Sequence, residues 1–221
     1  MASGGFPRYN GPAPALTQGH IHIMSFSPSH PPADGVQVRL LAIVGMPGAG
    51  KSLLAEYLEA QGFPKVRFGA ITIEEVLRRG LPVTPQNEKL VREDIRAREG
   101  MDAYARRSLP AIHAMLAAHR SVIIDGLYSF SEYRTLKAEF GPQLVVVAVV
   151  ADRHLRYQRL GSRPERPLTL QEAEWRDIQE IETLEKGGSI AIADHFILNN
   201  GPRQDALAAL DRILRRYDLR P

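Results

Sequence analysis

Residues 45–52 read G-M-P-G-A-G-K-S and follow the apolar run V-R-L-L-A-I-V at residues 38–44. The segment fits the phosphate-binding pattern G-x-x-x-x-G-K-[ST]. Residues 51–58 then place apolar side chains at three- and four-residue spacing, which is typical of a helix. A buried strand, a glycine-rich turn and a helix start in this order bring backbone N–H groups together on an anion. The stretch therefore predicts a loop that binds the phosphates of a nucleotide.

The residue types in this loop have separate tasks. Glycines let the backbone approach the phosphates without a Cβ atom in the way. We expect the Lys51 ammonium to reach the β- and γ-phosphates and the Ser52 hydroxyl to hold Mg²⁺, so ATP and Mg²⁺ are the predicted cofactors. The predicted nucleotide-binding residues of this segment are Gly45, Gly48, Ala49, Gly50, Lys51, Ser52 and Leu53.

Composition narrows the class of protein. The chain has 221 residues, no cysteine and a formal net charge of +3. The lack of cysteine excludes a disulfide scaffold, thiolate metal sites and cysteine nucleophiles, and it fits a reducing compartment. The small net charge permits a nucleic-acid partner without favouring one. No apolar stretch approaches the roughly 18 residues that a membrane helix needs. We expect a cytoplasmic protein, monomeric or homodimeric, with no membrane span.

The pattern along the chain predicts an extension followed by one domain. Residues 1–36 are rich in Gly, Pro, Ser and His, and we expect them to be disordered or loosely attached. Residues 37–221 alternate between strand and helix patterns, which is typical of a three-layer α/β/α fold around a mostly parallel five-stranded sheet. The predicted strands are 38–44, 64–68, 122–125, 144–150 and 195–198. The predicted helices are 51–58, 71–79, 87–98, 102–118, 131–140, 153–160, 170–186 and 204–217.

Candidate site residues lie just past the ends of these strands. Lys51, Gly69, Asp125 and residues 151–152 all occupy such positions, and ligands of parallel sheets bind at that edge. An acidic residue where Asp125 stands assists Mg²⁺ binding in P-loop proteins. The alternative for Asp125 is a turn cap at the strand end. The predicted metal site consists of Ser52 and Asp125.

An arginine-rich segment follows the fourth strand. Residues 161–167 form a Gly- and Pro-rich loop, and we predict a lid at about 159–169. Phosphoryl transfer requires neutralisation of the phosphate oxygens and exclusion of water, and a closing lid with cations provides both. The alternative is a solvated basic helix that pairs with nearby glutamates. The predicted catalytic residues are Lys51, Asp125, Arg159, Arg163 and Arg166.

The helical region at about 69–118 interrupts the strand pattern and is basic. Such an insertion serves either as a flap over a phosphoryl acceptor or as an ordinary helical face, and spacing does not decide between them. Its charge also raises a weaker hypothesis, a kinase acting on nucleic-acid ends. Its arginines are Arg78, Arg79, Arg92, Arg96, Arg98, Arg106 and Arg107.

Six segments together resemble a group of archaeal and bacterial P-loop proteins related to adenylate kinase and dephospho-CoA kinase. They read G-M-P-G-A-G-K-S, V-R-F-G, R-E-G-M-D-A-Y-A, V-I-I-D-G, W-R-D-I-Q-E-I-E and I-A-I-A-D-H-F-I-L-N-N-G. The resemblance covers nearly everything from residue 38 onward. It implies a nucleotide-kinase fold, and it implies that Asn199, in the A-D-x-x-I-x-N-x-G segment, lies near the adenine end of ATP. Arg176 and Asp177 match an R-D pair of the group, with a role that the sequence does not reveal.

Two positions depart from the resembled group. Ala70 stands where relatives often carry Asp, and Tyr128 stands where they often carry Arg. Both places face the phosphoryl acceptor in nucleotide kinases, so either the acceptor differs or transfer is weakened. The leading prediction is transfer of the γ-phosphoryl group of ATP to a nucleoside monophosphate. The alternatives are a kinase of a dephospho-CoA-like alcohol and a nucleotide-binding regulatory protein with little or no transfer.

Overall fold

A computed structural model describes residues 37–221, so the extension expected at 1–36 lies outside the described residues. The strands are β1 Leu40–Val44, β2 Lys65–Arg67, β3 Val122–Asp125, β4 Leu144–Val150 and β5 His195–Leu198. The helices are α1 Lys51–Ala60, α2 Phe68–Arg78, α3 Pro85–Glu99, α4 Ala103–Ala118, α5 Phe130–Phe140, α6 Arg153–Gly161, α7 Leu170–Glu182, α8 Lys186–Ala191 and α9 Arg203–Arg216. Within the described part, no helix is long and apolar enough to cross a membrane.

The five strands form one parallel sheet in the order β2-β3-β1-β4-β5. This confirms the predicted fold class. β1 is the central strand of this order, and its five residues are all buried, as expected of a parallel strand that is covered on both faces. The chain crosses from β1 towards β2 and β3 on one side and towards β4 and β5 on the other. The strand order therefore reverses at β1, and a crevice opens past its carboxyl end.

Alternate residues of the strands pack into two separate hydrophobic cores, one on each face of the sheet. Leu40, Ala42 and Val44 point to the face covered by α2, α3, α4 and α5. Leu41 and Ile43 point to the opposite face, which α1 and α9 cover. The alternation follows from the two-residue period of a strand. The helices on both faces complete the three layers.

One predicted helix is wrong in its extent. The pattern predicted a single helix over 170–186, whereas α7 ends at Glu182 and a separate helix α8 begins at Lys186. Glu185 between them has a backbone φ of 54°, in the left-handed region that breaks a right-handed helix. The break turns the chain so that Lys186 points inward and is buried.

The starts of two helices near the site are fixed by capping boxes. Ser129 caps α5 with Glu132, and Thr169 caps α7 with Glu172. In each box the hydroxyl and the glutamate carboxylate satisfy backbone N–H groups that the first helical turn leaves free. The Glu132 carboxylate also accepts a 2.7 Å bond from the Tyr128 backbone N–H. The segment after β3 is therefore held firmly against α5.

Candidate functional site

The glycine-rich turn between β1 and α1 has a backbone that leaves no room for a side chain at Gly45, Gly48 or Gly50. Gly48 and Gly50 have φ values of 77° and 108°. A Cβ atom on Gly48 would lie 2.5 Å from the Arg156 carbonyl oxygen, and one on Gly50 would lie 2.1 Å from Nδ2 of Asn199. Neighbouring elements thus press directly on the loop. Its glycines serve this close packing as well as the approach of a ligand.

Asn199 and Arg159 hold the loop backbone from one side. The buried Asn199 side chain donates from Nδ2 to the Ala49 carbonyl oxygen at 2.8 Å. Arg159 donates from Nη2 to the Asn199 carbonyl oxygen at 2.8 Å and from Nη1 to that of Gly48 at 3.4 Å. The sequence predicted Asn199 near the adenine and Arg159 in the lid. In this structure both side chains contact backbone, and Arg159 belongs to the last part of α6. The roles expected for them at the nucleotide and in a lid stay predictions.

A buried ion pair supports the loop from behind. Arg156 donates from Nη1 to the Pro47 carbonyl oxygen at 3.0 Å and makes two bonds to the Asp177 carboxylate, at 2.9 and 2.6 Å. The Tyr157 hydroxyl donates to the same carboxylate at 3.1 Å. This geometry gives Asp177 of the R-D pair a role that the sequence did not reveal. The carboxylate of α7 holds a guanidinium of α6 against the loop.

Lys51 folds back onto the loop that precedes it. Its Nζ donates to the carbonyl oxygens of Gly45 and Met46 at 2.8 and 3.1 Å. Burial first, and then the nearby charge of Lys186, lower the pKa of Lys51 from 10.5 to about 7, against an opposing effect of Glu180. The ammonium therefore sits in surroundings that disfavour its charge. A bound polyphosphate would supply the missing negative charge.

A second group of charges lies close to Lys51, and we call it the Lys186 cluster: Tyr128, Arg176, Glu180 and Lys186. Lys186 is only 1% exposed; its Nζ contacts the Glu180 carboxylate and lies 4.6 Å from the centre of the Tyr128 ring. Arg176 donates from Nε to the other Glu180 oxygen at 3.1 Å. Lys186 and Glu180 are not among the residues predicted from the sequence, because both fall in a polar helical pattern. The Gly187-Gly188 pair, which is unfavourable inside a long helix and lies within the short α8, was the available signal against one regular helix over 170–186.

Ser52 and Asp125 offer oxygen ligands at the carboxyl edge of the sheet. Ser52 is exposed in the first turn of α1, and Asp125 ends β3 beside Ile43 of β1. The Asp125 carboxylate is partly exposed and lies 3.7 Å from Nε of Arg67. A hydroxyl and a carboxylate, completed by phosphate oxygens and water, are the ligands that Mg²⁺ prefers in nucleotide sites. The residues present therefore fit a bound Mg²⁺.

The other two predicted lid arginines lie in the exposed segment between α6 and α7. Partial burial lowers the pKa of Arg163, and the charge of Arg176 lowers it further, so these two guanidinium groups lie near each other. Arg166 is exposed and has a φ of 51°, a conformation uncommon for a residue with a side chain. The structure thus brings Arg163 towards the Lys186 cluster and leaves Arg166 at the surface.

The chain is similar to several known proteins. Residues 41–185 match the family model described as an AAA domain. UPF0200 protein TK1334 from Thermococcus kodakarensis is 34% identical over 178 residues, which are 79% of this chain and 96% of that protein. A UPF0200 protein from Thermococcus gammatolerans is 35% identical over 169 residues, 75% of this chain and 88% of that one.

Two solved structures are similar in fold. TT1252 from Thermus thermophilus has a TM-score of 0.54 and 20% identity, with 81% of this chain and 98% of that chain covered. A shikimate kinase from Bacteroides thetaiotaomicron has a TM-score of 0.52 and 14% identity, with 82% and 99% covered. With its braced phosphate loop, parallel sheet and these matches, the chain belongs to the UPF0200 family and carries an AAA domain with the fold of P-loop kinases.

Proposed function

We propose that this protein transfers the γ-phosphoryl group of Mg²⁺·ATP to a small acceptor, a nucleoside monophosphate. The observation that carries the proposal is the placement of Lys51. Its ammonium is held at a braced phosphate loop, with a pKa lowered to about 7, beside further cations. A site with this excess of positive charge is suited to a polyphosphate and to the charge that spreads over a moving phosphoryl group.

Catalysis in this proposal is positioning and charge neutralisation. Lys51 leaves the carbonyl oxygens of Gly45 and Met46 and follows the β- and γ-phosphates. Ser52 and Asp125 would hold Mg²⁺, which neutralises phosphate charge when bound. Arg163 approaches from the segment between α6 and α7, and closure of this segment would exclude water. No covalent intermediate is required, because positioning of the two reactants supplies much of the rate.

The acceptor half of the site lies past β3, on the side of α2, α3 and α4. Tyr128 and Arg67 flank Asp125 there, and Ala70 is exposed near the start of α2. A phosphate oxygen needs no strong base to attack, whereas an alcohol benefits from one. The alanine at position 70 offers no carboxylate. This supports a nucleoside monophosphate over a dephospho-CoA-like alcohol.

Ion pairing in the helical insertion argues against a nucleic-acid acceptor. In the part of the chain that the structure describes, six of its seven arginines pair with carboxylates, and Arg92 is the exception. Charge that is neutralised within the protein is not available to release counterions from a phosphate backbone. The charge of Arg92 acts instead on the Tyr128 hydroxyl of the site. Oligonucleotide binding that weakens steeply with salt would restore that alternative.

The test is ADP release from Mg²⁺·ATP in the presence of each nucleoside monophosphate, each deoxynucleotide and dephospho-CoA in turn. The proposal predicts that one monophosphate raises the rate by about tenfold or more, equivalent to roughly 1.4 kcal/mol of barrier. Lys51→Ala serves as the blank. Slow ADP release that no acceptor accelerates, together with tight ATP binding, would contradict phosphoryl transfer. It would favour a nucleotide-binding regulatory protein instead.

A further inference from the structure

A row of buried polar contacts runs from α2 of the helical insertion to the segment that follows β3. Thr72 of α2 and Tyr104 of α4 share a 2.8 Å hydrogen bond between their hydroxyls. The Arg96 guanidinium of α3 lies over the Tyr104 ring, 4.7 Å from its centre. Arg96 also donates from Nη2 to Oε1 of Glu132 at 3.3 Å. The three insertion helices are therefore joined to α5 at one buried carboxylate.

The Glu132 carboxylate divides its two oxygens between the insertion and the segment after β3. Oε2 accepts from the backbone N–H groups of Tyr128 and Ser129 at 2.7 and 3.0 Å, and Oε1 faces Arg96. The Glu132 side chain is fully enclosed. Burial raises the pKa of Glu132, and Arg96 and the two N–H groups act against that rise. A carboxylate shared in this way fixes the position of the Tyr128 backbone relative to α3.

Stability alone does not account for Arg96. Its side chain is only 9% exposed, and among the described residues its Nε has no hydrogen-bond partner. A buried donor without a partner lowers stability. The single bond to Glu132 is also longer than the two bonds that join Arg156 to Asp177. What Arg96 positions explains its place better than what it stabilises.

The residue that this link positions is Tyr128. It follows Asp125 by three residues, and a Cβ atom on Gly126 would lie 3.3 Å from Cε2 of its ring. The same Cβ would lie 3.5 Å from the Phe68 Cβ at the start of α2. Nζ of Lys186 lies 4.6 Å from the ring centre. The ring therefore lies where the end of β3 meets the start of α2, on the side proposed for the acceptor.

We propose that Arg96 and Glu132 are positioning residues for the acceptor. Arg96 ties α3 to Glu132, and Glu132 holds the backbone of Tyr128 so that its ring packs against the bound acceptor. The inference rests on the proposed function and adds to it two residues that touch neither substrate. An aromatic ring gains most from a flat partner at a fixed position. The link therefore contributes to acceptor affinity and not to nucleotide affinity.

The experiment measures binding, so it does not depend on turnover. AMP, GMP, CMP and UMP are each titrated by calorimetry into full-length protein saturated with Mg²⁺ and a non-hydrolysable ATP analogue. We expect Arg96→Met to weaken the tightest of these complexes by about fivefold or more, because the Tyr128 ring is no longer held in place. Its affinity for the ATP analogue should change by less than about twofold.

Arg79→Met is the matched control. Arg79 lies in the same insertion and is also partly buried, but it pairs with Glu75 and Asp94 instead of Glu132. This variant should lose stability as well, since it also leaves carboxylates without a partner. Its affinity for the monophosphate should stay within about twofold of the wild-type value.

A comparison with Tyr128→Ala tests whether the effect passes through the ring. The double variant Arg96→Met/Tyr128→Ala should bind the monophosphate no more weakly than Tyr128→Ala alone. Additive losses would contradict the positioning role. If Arg96→Met does not fold, Arg96→Met/Glu132→Gln takes its place, because it removes both buried charges and keeps an oxygen for the Tyr128 N–H. The same loss of acceptor affinity is expected of it.

Three results would overturn the inference. They are no monophosphate binding to the wild type, equal effects of Arg96→Met and Arg79→Met on acceptor affinity, and an equal loss of affinity for the ATP analogue. The outcome is separable from that of the proposed function. Acceptor binding that depends on Arg96, without any phosphoryl transfer, would refute the kinase and leave the positioning role. Transfer to an acceptor whose affinity Arg96→Met leaves unchanged would do the reverse.

Discussion

Single residues decide how the phosphate loop responds to charge. The Lys51 ammonium donates to two carbonyl oxygens and lies near other cations, so its charged form is disfavoured. A triphosphate reverses this balance by placing negative charge beside the ammonium. Binding should therefore raise the pKa of Lys51 back towards 10.5.

This shift predicts proton uptake on binding. Between about pH 7 and 10.5, Lys51 is largely neutral before nucleotide is added, and we expect it to be charged in the complex. Affinity for Mg²⁺·ATP should then fall as pH rises through that window, while below pH 7 the residue is charged in both states and adds no dependence. Calorimetry at pH 8.5 in buffers of different ionisation enthalpy should show uptake approaching one proton. Lys51→Met separates this from titration of Lys186, and unchanged uptake in that variant would refute the assignment.

Asn199 offers a second prediction at this scale. Asn199→Ala removes the donor to the buried Ala49 carbonyl oxygen, and an unsatisfied buried acceptor costs about 1–3 kcal/mol. We expect a lower melting temperature and Mg²⁺·ATP binding weakened by roughly tenfold. The neighbouring Asn200→Ala is the control, because Asn200 accepts from the Asp152 N–H away from the loop. If both substitutions change the affinity for Mg²⁺·ATP equally, the hydrogen bond from Asn199 to Ala49 does not contribute to nucleotide binding.

The sequence predicted the residues whose chemistry is local and missed those whose role depends on distant contacts. Lys51 and Ser52 belong to a contiguous motif, and the order of residues in that motif is enough to indicate the shape of the loop. Asn199 lies 150 positions from its partner Ala49, so no spacing along the chain indicates the contact. Lys186 was hidden because a lysine in a polar segment is normally solvated.

At the scale of elements, two helices outside the motif hold the loop in shape. α6 contributes Arg156 and Arg159, and α7 contributes Asp177. Both helices flank the exposed segment of Arg163 and Arg166. If that segment closes over a nucleotide, as the proposed function requires, its movement would act through these two helices on the backbone of the phosphate loop.

The α6–α7 ion pair gives an element-scale prediction. Asp177→Asn leaves the buried Arg156 charge without its partner, and such a change costs about 3–5 kcal/mol of unfolding free energy. Denaturant unfolding measures it. Glu93→Gln is the control, because its pair with Lys89 is 3.8 Å long and mostly exposed, so it should cost less than about 1 kcal/mol. If the two variants lose similar amounts of unfolding free energy, the Arg156–Asp177 ion pair does not stabilise the fold as we expect.

All five predicted strands are present, with ends shifted by at most two residues, because long apolar runs with a single period are unambiguous. The missed break between α7 and α8 has a physical reason. Residues 183–185 are not turn-formers, and Glu185 adopts its left-handed conformation because the chain must bring Lys186 to Glu180. A tertiary contact overrode the local pattern there.

At the scale of the whole molecule, one parallel sheet separates two cores and opens a crevice where the strand order reverses. The phosphate loop is braced by groups of α6 and of the end of β5, on the β4–β5 side of the sheet. In the proposed function the acceptor would lie on the β2–β3 side, so that the two substrates would meet in line at the end of β1.

A ligand that binds only the folded protein should stabilise it as a whole. At a free Mg²⁺·ATP concentration of about 100 times the Kd, we expect the unfolding free energy to rise by roughly 2.7 kcal/mol. Thermal or denaturant unfolding with and without nucleotide measures this. Lys51→Ala should lose most of the gain at the same concentration. Full stabilisation of that variant would place the nucleotide elsewhere on the molecule.

The most direct test of the account follows the γ-phosphoryl group itself. Protein is mixed in excess over ATP labelled at the γ-phosphate, with Mg²⁺ and a saturating nucleoside monophosphate, and the labelled products are separated after one turnover. The account predicts that the label appears in a nucleoside diphosphate in the wild type and stays in ATP in Lys51→Ala. Label released only as inorganic phosphate, or transferred equally well without Lys51, would contradict it.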